Sequence, residues 1–272
     1  MYSLGDAEIV LGKALKGKRS KSIISTKASF QMGEHPNGKG SSRYHLMNAL
    51  EDSLKRLNTD YIDLYLMHGF DQNTPIEETL RTLENMVKSG KVRYLGCSNF
   101  AAWQLMKSLS LAEKLNVEKY VIYQGYYSLI GRDYEQELMP LLADQHMGLM
   151  VWSPLGWGRL TGKIKRGMET QEGRIKSGGA VGAPPVKDEF LFQVVEVLEK
   201  ISAEIGKSIP QIAINWLLQN KSVSNIIIGA RNEKQLRANI DAVGWNLSAE
   251  HLSQLQQISE QTPIYPHWVG ER

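Results

Sequence analysis

The sequence has very little cysteine and no long apolar run. Its 272 residues include one cysteine, Cys97, which rules out an internal disulfide and is typical of a reducing compartment. No apolar stretch approaches the roughly 18 residues that a membrane span needs. The chain also does not open with a basic segment followed by an apolar core, as a secretory signal does. We therefore expect a cytoplasmic protein that does not bind membranes.

The sequence also lacks a strong charge of either sign. Its 32 Lys and Arg against 29 Asp and Glu give a formal net charge of +3, and no like-charge run is long enough to follow a phosphate backbone. Nucleic-acid binding is therefore not expected. The length and the hydrophobic share of 42% favour one large α/β domain over residues 1–272.

Short apolar runs alternate with amphipathic helical patterns along the chain. Several runs are apolar nearly throughout, as strands covered by helices on both faces are. This alternation predicts a parallel β/α architecture, either a doubly wound sheet or a (β/α)8 barrel. The six predicted strands span residues 22–27, 61–68, 92–99, 120–127, 148–154 and 225–231.

Several helix ends can be located from the sequence. Thr74 is the predicted N-cap of a helix that stops at Ser89-Gly90, and Ser208 with Gln211 forms a predicted capping box. Two stretches, 31–43 and 165–188, have the composition of loops. Such loops are either functional lids or mobile surface insertions, and the sequence alone supports both interpretations equally.

Polar residues cluster at the carboxyl ends of the predicted strands, and in a β/α barrel these ends converge on the face that carries the active site. Each residue alone has an ordinary explanation, such as a solvated lysine or a packed tryptophan. Their recurrence at six consecutive strand ends favours a functional site. The residues are Lys27, His68, Ser98, Asn99, Gln124, Trp152, Ser153, Arg231 and Asn232.

Five stretches resemble the aldo-keto reductase superfamily, and the resemblance runs the length of the chain. They are YSLGDAE (2–8), SLKRLNTDYIDLYLMH (53–68), VRYLGCSNF (92–100), SPLGWGRLTGK (153–163) and IIIGARNEKQLRAN (226–239). The resemblance implies a (β/α)8 barrel that binds an extended nicotinamide dinucleotide, usually NADPH. A G-x-G-x-x-G motif is neither present nor expected.

The resemblance implies three catalytic residues for the reduction of an aldehyde or ketone. Tyr2 matches the family's proton donor, Lys27 the ammonium that favours its phenolate, and His68 the hydrogen-bond donor to the substrate oxygen. A free tyrosine titrates near 10, too high for easy proton exchange at neutral pH, so a neighbouring ammonium is chemically useful.

The resemblance also implies the cofactor site. Ser98, Asn99 and Gln124 match the positions that bind the carboxamide, and Trp152 matches the residue that stacks on the nicotinamide. A loop over 156–162 would follow the pyrophosphate, and Arg231 suits the 2′-phosphate that distinguishes NADPH from NADH. No metal site is expected. The remaining matched positions are Ser153, Leu155, Gly156, Gly158, Leu160, Gly162, Lys163, Gly229, Gln235 and Asn239.

The family also has a catalytic aspartate before the tyrosine, and it precedes this chain's first residue. We therefore expect an N-terminally truncated barrel of about six strands, without the first strand, first helix and second strand. Such a chain is expected to have little reductase activity, because Lys27 would lack its carboxylate partner. Some relatives are channel-associated or regulatory subunits, so a non-catalytic NADP(H)-binding subunit is the alternative, and an inactive fragment is a further one.

The sequence does not identify the substrate beyond a small carbonyl compound or alcohol. Specificity is expected in the loops over 28–45 and 165–188 and in the tail PIYPHW. The tail has two equally supported interpretations, a wall of the substrate pocket or a surface coil. The oligomeric state is left open.

Overall fold

The computed structural model describes residues 2–167 and 183–269. Of Tyr2 it describes the backbone alone. The described chain forms two compact units. The first comprises residues 1–124 and 145–147, and the second comprises residues 125–144 and 148–272. The prediction of a single domain over 1–272 stays a prediction.

The first unit is a parallel sheet whose strands are joined by helices. Its strands β1 to β4 pair in chain order and all pairs are parallel. In the register, Lys27 lies opposite Leu66, Met67 opposite Cys97 and Ser98 opposite Gln124, so the carboxyl ends of the strands are level. The elements are α1 (Asp6–Ala14), β1 (Ser25–Ala28), α2 (Arg43–Leu57), β2 (Ile62–Met67), α3 (Ile76–Lys88), β3 (Val92–Ser98), α4 (Ala102–Leu115) and β4 (Tyr120–Tyr126, reaching into the second unit).

Helix α2 shows why these residues fold as they do. Its apolar residues recur every three or four positions and form a buried stripe that includes Leu46, Leu50, Leu54 and Leu57. The Ser42 side chain accepts the amide hydrogen of His45 at the start of the helix, and Asn58 closes its end in the left-handed conformation. This amphipathic helix covers one face of an apolar sheet in which Cys97 is fully buried.

The second unit contains two parallel strands and a larger share of helix. Val151 pairs with Ile226 in the register of β5 and β6. Ser208 and Gln211 form the predicted capping box at the start of α7. The elements are α5 (Leu138–Asp144), β5 (Gly148–Trp152), α6 (Asp188–Ile205), α7 (Ile209–Leu218), β6 (Val223–Ile226), α8 (Glu233–Ile240) and α9 (Ala249–Ile258).

The predicted parallel α/β fold class is confirmed, with six described strands, two fewer than a closed eight-stranded barrel has. The prediction for the sixth strand was wrong at its end. β6 stops at Ile226 because its pairing with β5 runs only from Val223, opposite Leu149, to Ile226, opposite Val151, and Arg231 follows five residues later.

The predicted N-cap at Thr74 was also wrong. Pro75 occupies the N-cap position of α3, while the Thr74 hydroxyl donates a hydrogen bond to Asp71 Oδ2. The expected stop at Ser89-Gly90 is confirmed, with Gly90 at a φ of 77°.

The two predicted loops differ in how much of them is described. Residues 31–42 are irregular, as predicted, and much of 165–188 lies outside the described residues. None of the helices in 2–167 and 183–269 is both long enough and apolar enough to cross a bilayer.

Candidate functional site

The first unit brings Lys27 and His68 to neighbouring strand ends. Lys27 is the third residue of β1, and His68 follows β2 directly, where its amide donates to the Ala28 carbonyl at 2.8 Å. The positive charge of Lys27 acts on the imidazole of His68. The sheet register alone therefore places two of the three predicted catalytic side chains close together.

The environment of His68 determines its protonation state. The residue is buried, with 9% of its surface exposed, and the ring of Phe30 packs against its imidazole with centroids 4.2 Å apart. Burial and, secondarily, the charge of Lys27 lower the pKa of His68 from 6.5 to about 4. The imidazole is therefore neutral at pH 7 and carries one N–H donor.

The ends of β3 and β4 supply three polar side chains. Ser98 and Gln124 lie opposite each other in the register and are almost fully buried. Asn99 is exposed, adopts a φ of 60°, and donates from its Nδ2 to the His68 carbonyl at 2.9 Å. The predicted carboxamide-binding residues thus lie on two adjacent strand ends, and Asn99 links them to His68.

Tyr2 opens a tight turn, Tyr2–Gly5, that leads directly into α1. Gly5 has a φ of 104°, and a Cβ there would come within 2.7 Å of the Arg56 side chain, so no other residue fits easily. The Glu8 carboxylate accepts hydrogen bonds from Thr26 Oγ1 and Arg56 Nε, both at 2.6 Å. These contacts fix the backbone turn that carries Tyr2 against β1 and α2, while the position of its side chain lies outside the description.

In the second unit, Trp152 is part of an aromatic cluster at the end of β5. Its ring lies 5.4 Å from that of Tyr126 and 5.2 Å from that of Trp157, measured between centroids. Its indole Nε1 is buried and has no hydrogen-bond partner among the described residues. A buried N–H without an acceptor is costly, and it indicates a place where a ligand could supply one.

The loop that follows β5 has an unusual backbone. Gly156, Trp157 and Gly158 have φ values of 53°, 59° and 90°, and Gly162 one of 75°. Ser153 Oγ accepts the Trp157 amide hydrogen at 3.0 Å, and the Leu155 carbonyl accepts those of Gly158 and Leu160. Leu160 is buried and anchors the loop, whereas Lys163 is exposed. This tightly coiled segment contains the predicted pyrophosphate-binding positions.

Five other predicted residues are connected by hydrogen bonds at the start of α8. Asn232 caps the helix by accepting the amide hydrogen of Gln235, whose Oε1 accepts that of Arg231 at 3.0 Å. Asn239 Nδ2 donates to the Gly229 carbonyl at 3.4 Å. Arg231 is exposed beside a helix N-terminus, which is a favourable position for binding an anion.

These residues fit a nicotinamide dinucleotide. The indole N–H of Trp152, which has no partner in residues 2–167 and 183–269, lies among aromatic rings. A Cβ at Gly158 or Gly229 would meet no atom of these residues within 4 Å, so a ligand could approach the backbone there. In residues 2–167 and 183–269, no group of three or more His, Cys, Asp or Glu could hold a metal ion.

Sequence reasoning did not identify Phe30, which packs against His68, or Asp71, which joins the two loops that follow β1 and β2. Phe30 stands three positions after Lys27, and Asp71 three positions after His68. Both lie in loops that directly follow strand ends, which is the only signal in the sequence that could have indicated them.

Comparisons with known proteins agree with this arrangement. The model of the aldo/keto reductase family matches residues 1–260. An uncharacterized oxidoreductase of Bacillus subtilis (strain 168), YrpG, is 37% identical over 265 residues, which cover 93% of this chain and 78% of the relative. The L-glyceraldehyde 3-phosphate reductase of Escherichia coli (strain K12) is 32% identical over 261 residues, with coverages of 93% and 75%.

A further relative has a different name. A probable voltage-gated potassium channel subunit beta of Oryza sativa subsp. japonica is 36% identical over 249 residues, or 89% of this chain and 75% of the relative. The chain thus belongs to the aldo/keto reductase family, which includes oxidoreductases and generally uses NAD(P)H.

Proposed function

We propose that this protein reduces small aldehydes or ketones to alcohols with NADPH, in the cytoplasm. The observation that carries the proposal is that Lys27 and a buried, neutral His68 lie at neighbouring strand ends in a member of the aldo/keto reductase family. When bound, NADPH supplies the hydride that reaches the carbonyl carbon.

In this mechanism His68 donates a hydrogen bond to the carbonyl oxygen of the substrate. Because its pKa is about 4, the imidazole stays neutral and keeps its donor across the neutral range. The hydrogen bond strengthens as negative charge develops on the oxygen, so it stabilises the transition state more than the substrate.

Tyr2 donates the proton that completes the alcohol. Its phenol must release and regain a proton near neutral pH, and the Lys27 ammonium favours the phenolate. Glu8 and Gly5 support this role because they fix the backbone turn that begins at Tyr2.

The cofactor would be held at several points. Ser98, Asn99 and Gln124 would bind the carboxamide, and Trp152 would stack on the nicotinamide. The loop over 156–162 would follow the pyrophosphate, and Arg231, Gln235 and Asn239 would bind the adenosine end. The Arg231 guanidinium favours NADPH, since it can pair with a 2′-phosphate.

The test compares Tyr2→Phe with Tyr44→Phe, a matched change of an exposed side chain on α2. We expect the wild type to oxidise NADPH slowly when an aldehyde is added, as measured by the fall in NADPH absorbance. Tyr2→Phe should lower kcat by a factor of about 100 or more, as loss of a general acid does, and Tyr44→Phe should not. Equal turnover in both variants would refute the role of Tyr2.

A regulatory subunit that binds NADP(H) without turning it over is the second candidate. The relatives named as potassium channel beta subunits, at 36% and 34% identity, favour it. It predicts tight NADPH binding, measured by quenching of tryptophan fluorescence, with no oxidation by a panel of aldehydes. Catalytic turnover by the wild type would argue against it.

A further inference from the structure

An aspartate outside the predicted catalytic set connects two loops beside His68. The Asp71 Oδ2 accepts hydrogen bonds from the Ser41 amide and the Thr74 hydroxyl, both at 2.7 Å. The Oδ1 accepts the Asn73 amide hydrogen at 2.9 Å. Two of these donors belong to the loop after β2, while Ser41 belongs to the loop after β1. The carboxylate therefore joins chain segments that are 30 residues apart.

The backbone of the loop after β1 is adapted to this contact. Gly40 has a φ of 90°, and a Cβ there would lie 2.8 Å from Asp71 Oδ2, too close for any side chain. Ser41 is buried. Burial by itself would raise the pKa of Asp71, but the hydrogen bonds from Thr74, Asn73 and Ser41 outweigh it and hold the pKa below its ordinary value. Asp71 is therefore ionised at neutral pH.

The same loop contacts His68 at its other end. The Gly40 amide donates to the Ser29 carbonyl at 2.8 Å, and the Ser29 hydroxyl lies 3.2 Å from the Gly69 amide. Phe30, next in sequence, stacks on the His68 ring. A Cβ at Gly69 would lie 3.0 Å from Phe30 Cε1, so the ring fills the space beside Gly69.

We propose that Asp71 is a positioning residue of the reductase site, because its carboxylate fixes the loop that holds Phe30 against the imidazole of His68. Asp71 does not touch the reacting atoms in this account. It acts through Gly40, Ser29 and Phe30, which keep water away from His68 and fix the direction of its donor. The turnover measurements rest on the proposed function, whereas the NMR measurements of His68 do not.

The main variant is Asp71→Asn, which keeps the size of the side chain. An amide has one accepting oxygen, so at least one of the three hydrogen bonds is lost along with the charge. The matched control is Asp52→Asn on α2, where the carboxylate is exposed and lies 4.0 Å from Lys55 Nζ.

The first measurement is the pKa of His68 by NMR, assigned by the signal that His68→Gln removes. A loosened loop exposes the imidazole to water, so in Asp71→Asn the pKa should rise from about 4 toward 6.5. Lys27 also faces this ring and is unchanged in the variant, so its effect on the pKa remains. Asp52→Asn should leave the pKa at the wild-type value.

A double-mutant cycle tests whether Asp71 acts through Phe30. Phe30→Ala alone should raise the pKa of His68, and adding Asp71→Asn to it should change the pKa little further. In turnover assays, Asp71→Asn should lower kcat by about tenfold while NADPH affinity stays within about twofold, as expected for a shifted catalytic group.

An unchanged His68 pKa in a folded Asp71→Asn protein would overturn the proposal, even if thermal stability falls. If that variant does not fold, Thr74→Val removes one hydrogen bond, and it must shift the pKa in the same direction by a smaller amount. The NMR result requires no turnover. An inactive wild type would therefore refute the proposed function without deciding the role of Asp71.

Discussion

The first unit and the second unit hold their polar groups in different ways. In the first unit, Lys27, His68, Ser98 and Gln124 are placed by strand register at the ends of a parallel sheet. In the second unit, Ser153 to Gly162 are placed by a coil with five positive φ values, at Ser153, Gly156, Trp157, Gly158 and Gly162. A sheet fixes side-chain direction through many shared hydrogen bonds, whereas a coil depends on a few residues that tolerate unusual backbone angles.

In the proposed function, the chemistry belongs to the first unit and cofactor binding mainly to the second, and the two kinds of backbone suit these tasks. Groups that move protons need fixed distances, and strand ends provide them. A dinucleotide needs close backbone approach over an extended length, and glycine-rich coil provides that. Substitutions in the two units should therefore impair the protein in different ways.

The largest effect is expected at Lys27. Lys27→Met should lower kcat by a factor of about 100 or more, because Tyr2 loses the ammonium that favours its phenolate. The dissociation constant for NADPH should change by less than about twofold, since Lys27 is not among the predicted cofactor residues. The control is Lys55→Met, whose ammonium is mostly exposed on α2. A large loss of NADPH affinity in Lys27→Met would contradict the assignment of Lys27 to catalysis and not to cofactor binding.

The next effect concerns the stability of the first unit toward acid. The folded-state pKa of His68 is about 4 and its ordinary value is 6.5, so between these pH values the unfolded chain binds the proton more readily. Stability is therefore complete above pH 6.5 and falls as the pH decreases toward 4. From pH 7 to pH 5 we expect a loss of about 2 kcal/mol in the free energy of unfolding from this group.

Urea denaturation at the two pH values measures this loss. The variant His68→Gln should be less sensitive to acid by that amount, and His146→Asn, a change at an exposed turn residue, should behave as the wild type does. Equal acid sensitivity in wild type and His68→Gln would contradict the account of His68 as a buried neutral imidazole.

The smallest effect separates two glycines of the coil in the second unit. Alanine at Gly156 or Gly158 should cost about 1 kcal/mol, because both φ values lie in the left-handed region. At Gly156 the new Cβ would also come within 2.6 Å of Ile130 Cδ1, adding about 1 kcal/mol or more, whereas at Gly158 it meets nothing within 4 Å. Equal free energies of unfolding would show that contact with Ile130 is unimportant.

The same contrast explains what could be predicted from the sequence. Lys27, His68, Ser98 and Gln124 were predictable because apolar runs mark strands, and the carboxyl ends of parallel strands meet. The end of β6 was mispredicted because a strand extends only as far as its neighbour, and the apolar run 225–231 does not record where β5 stops.

Contacts between loops were not predictable in this way. The Asp71 carboxylate meets Ser41, and the Phe30 ring meets His68, only after two loops have closed on each other. The packing of Trp157 against Tyr126 likewise depends on the positive φ of a non-glycine residue, for which the sequence gives no signal.

A reductase transfers hydride from NADPH to a carbonyl compound, whereas a nucleotide-binding subunit only binds NADPH. The most direct measurement uses NADPH that carries deuterium at its hydride-donating carbon, incubated with the protein and an aldehyde. We predict an alcohol with deuterium on its carbinol carbon, found by mass spectrometry with the wild type and strongly reduced with Tyr2→Phe. Bound NADPH that keeps its deuterium, with no labelled alcohol from any aldehyde or ketone, would contradict the account.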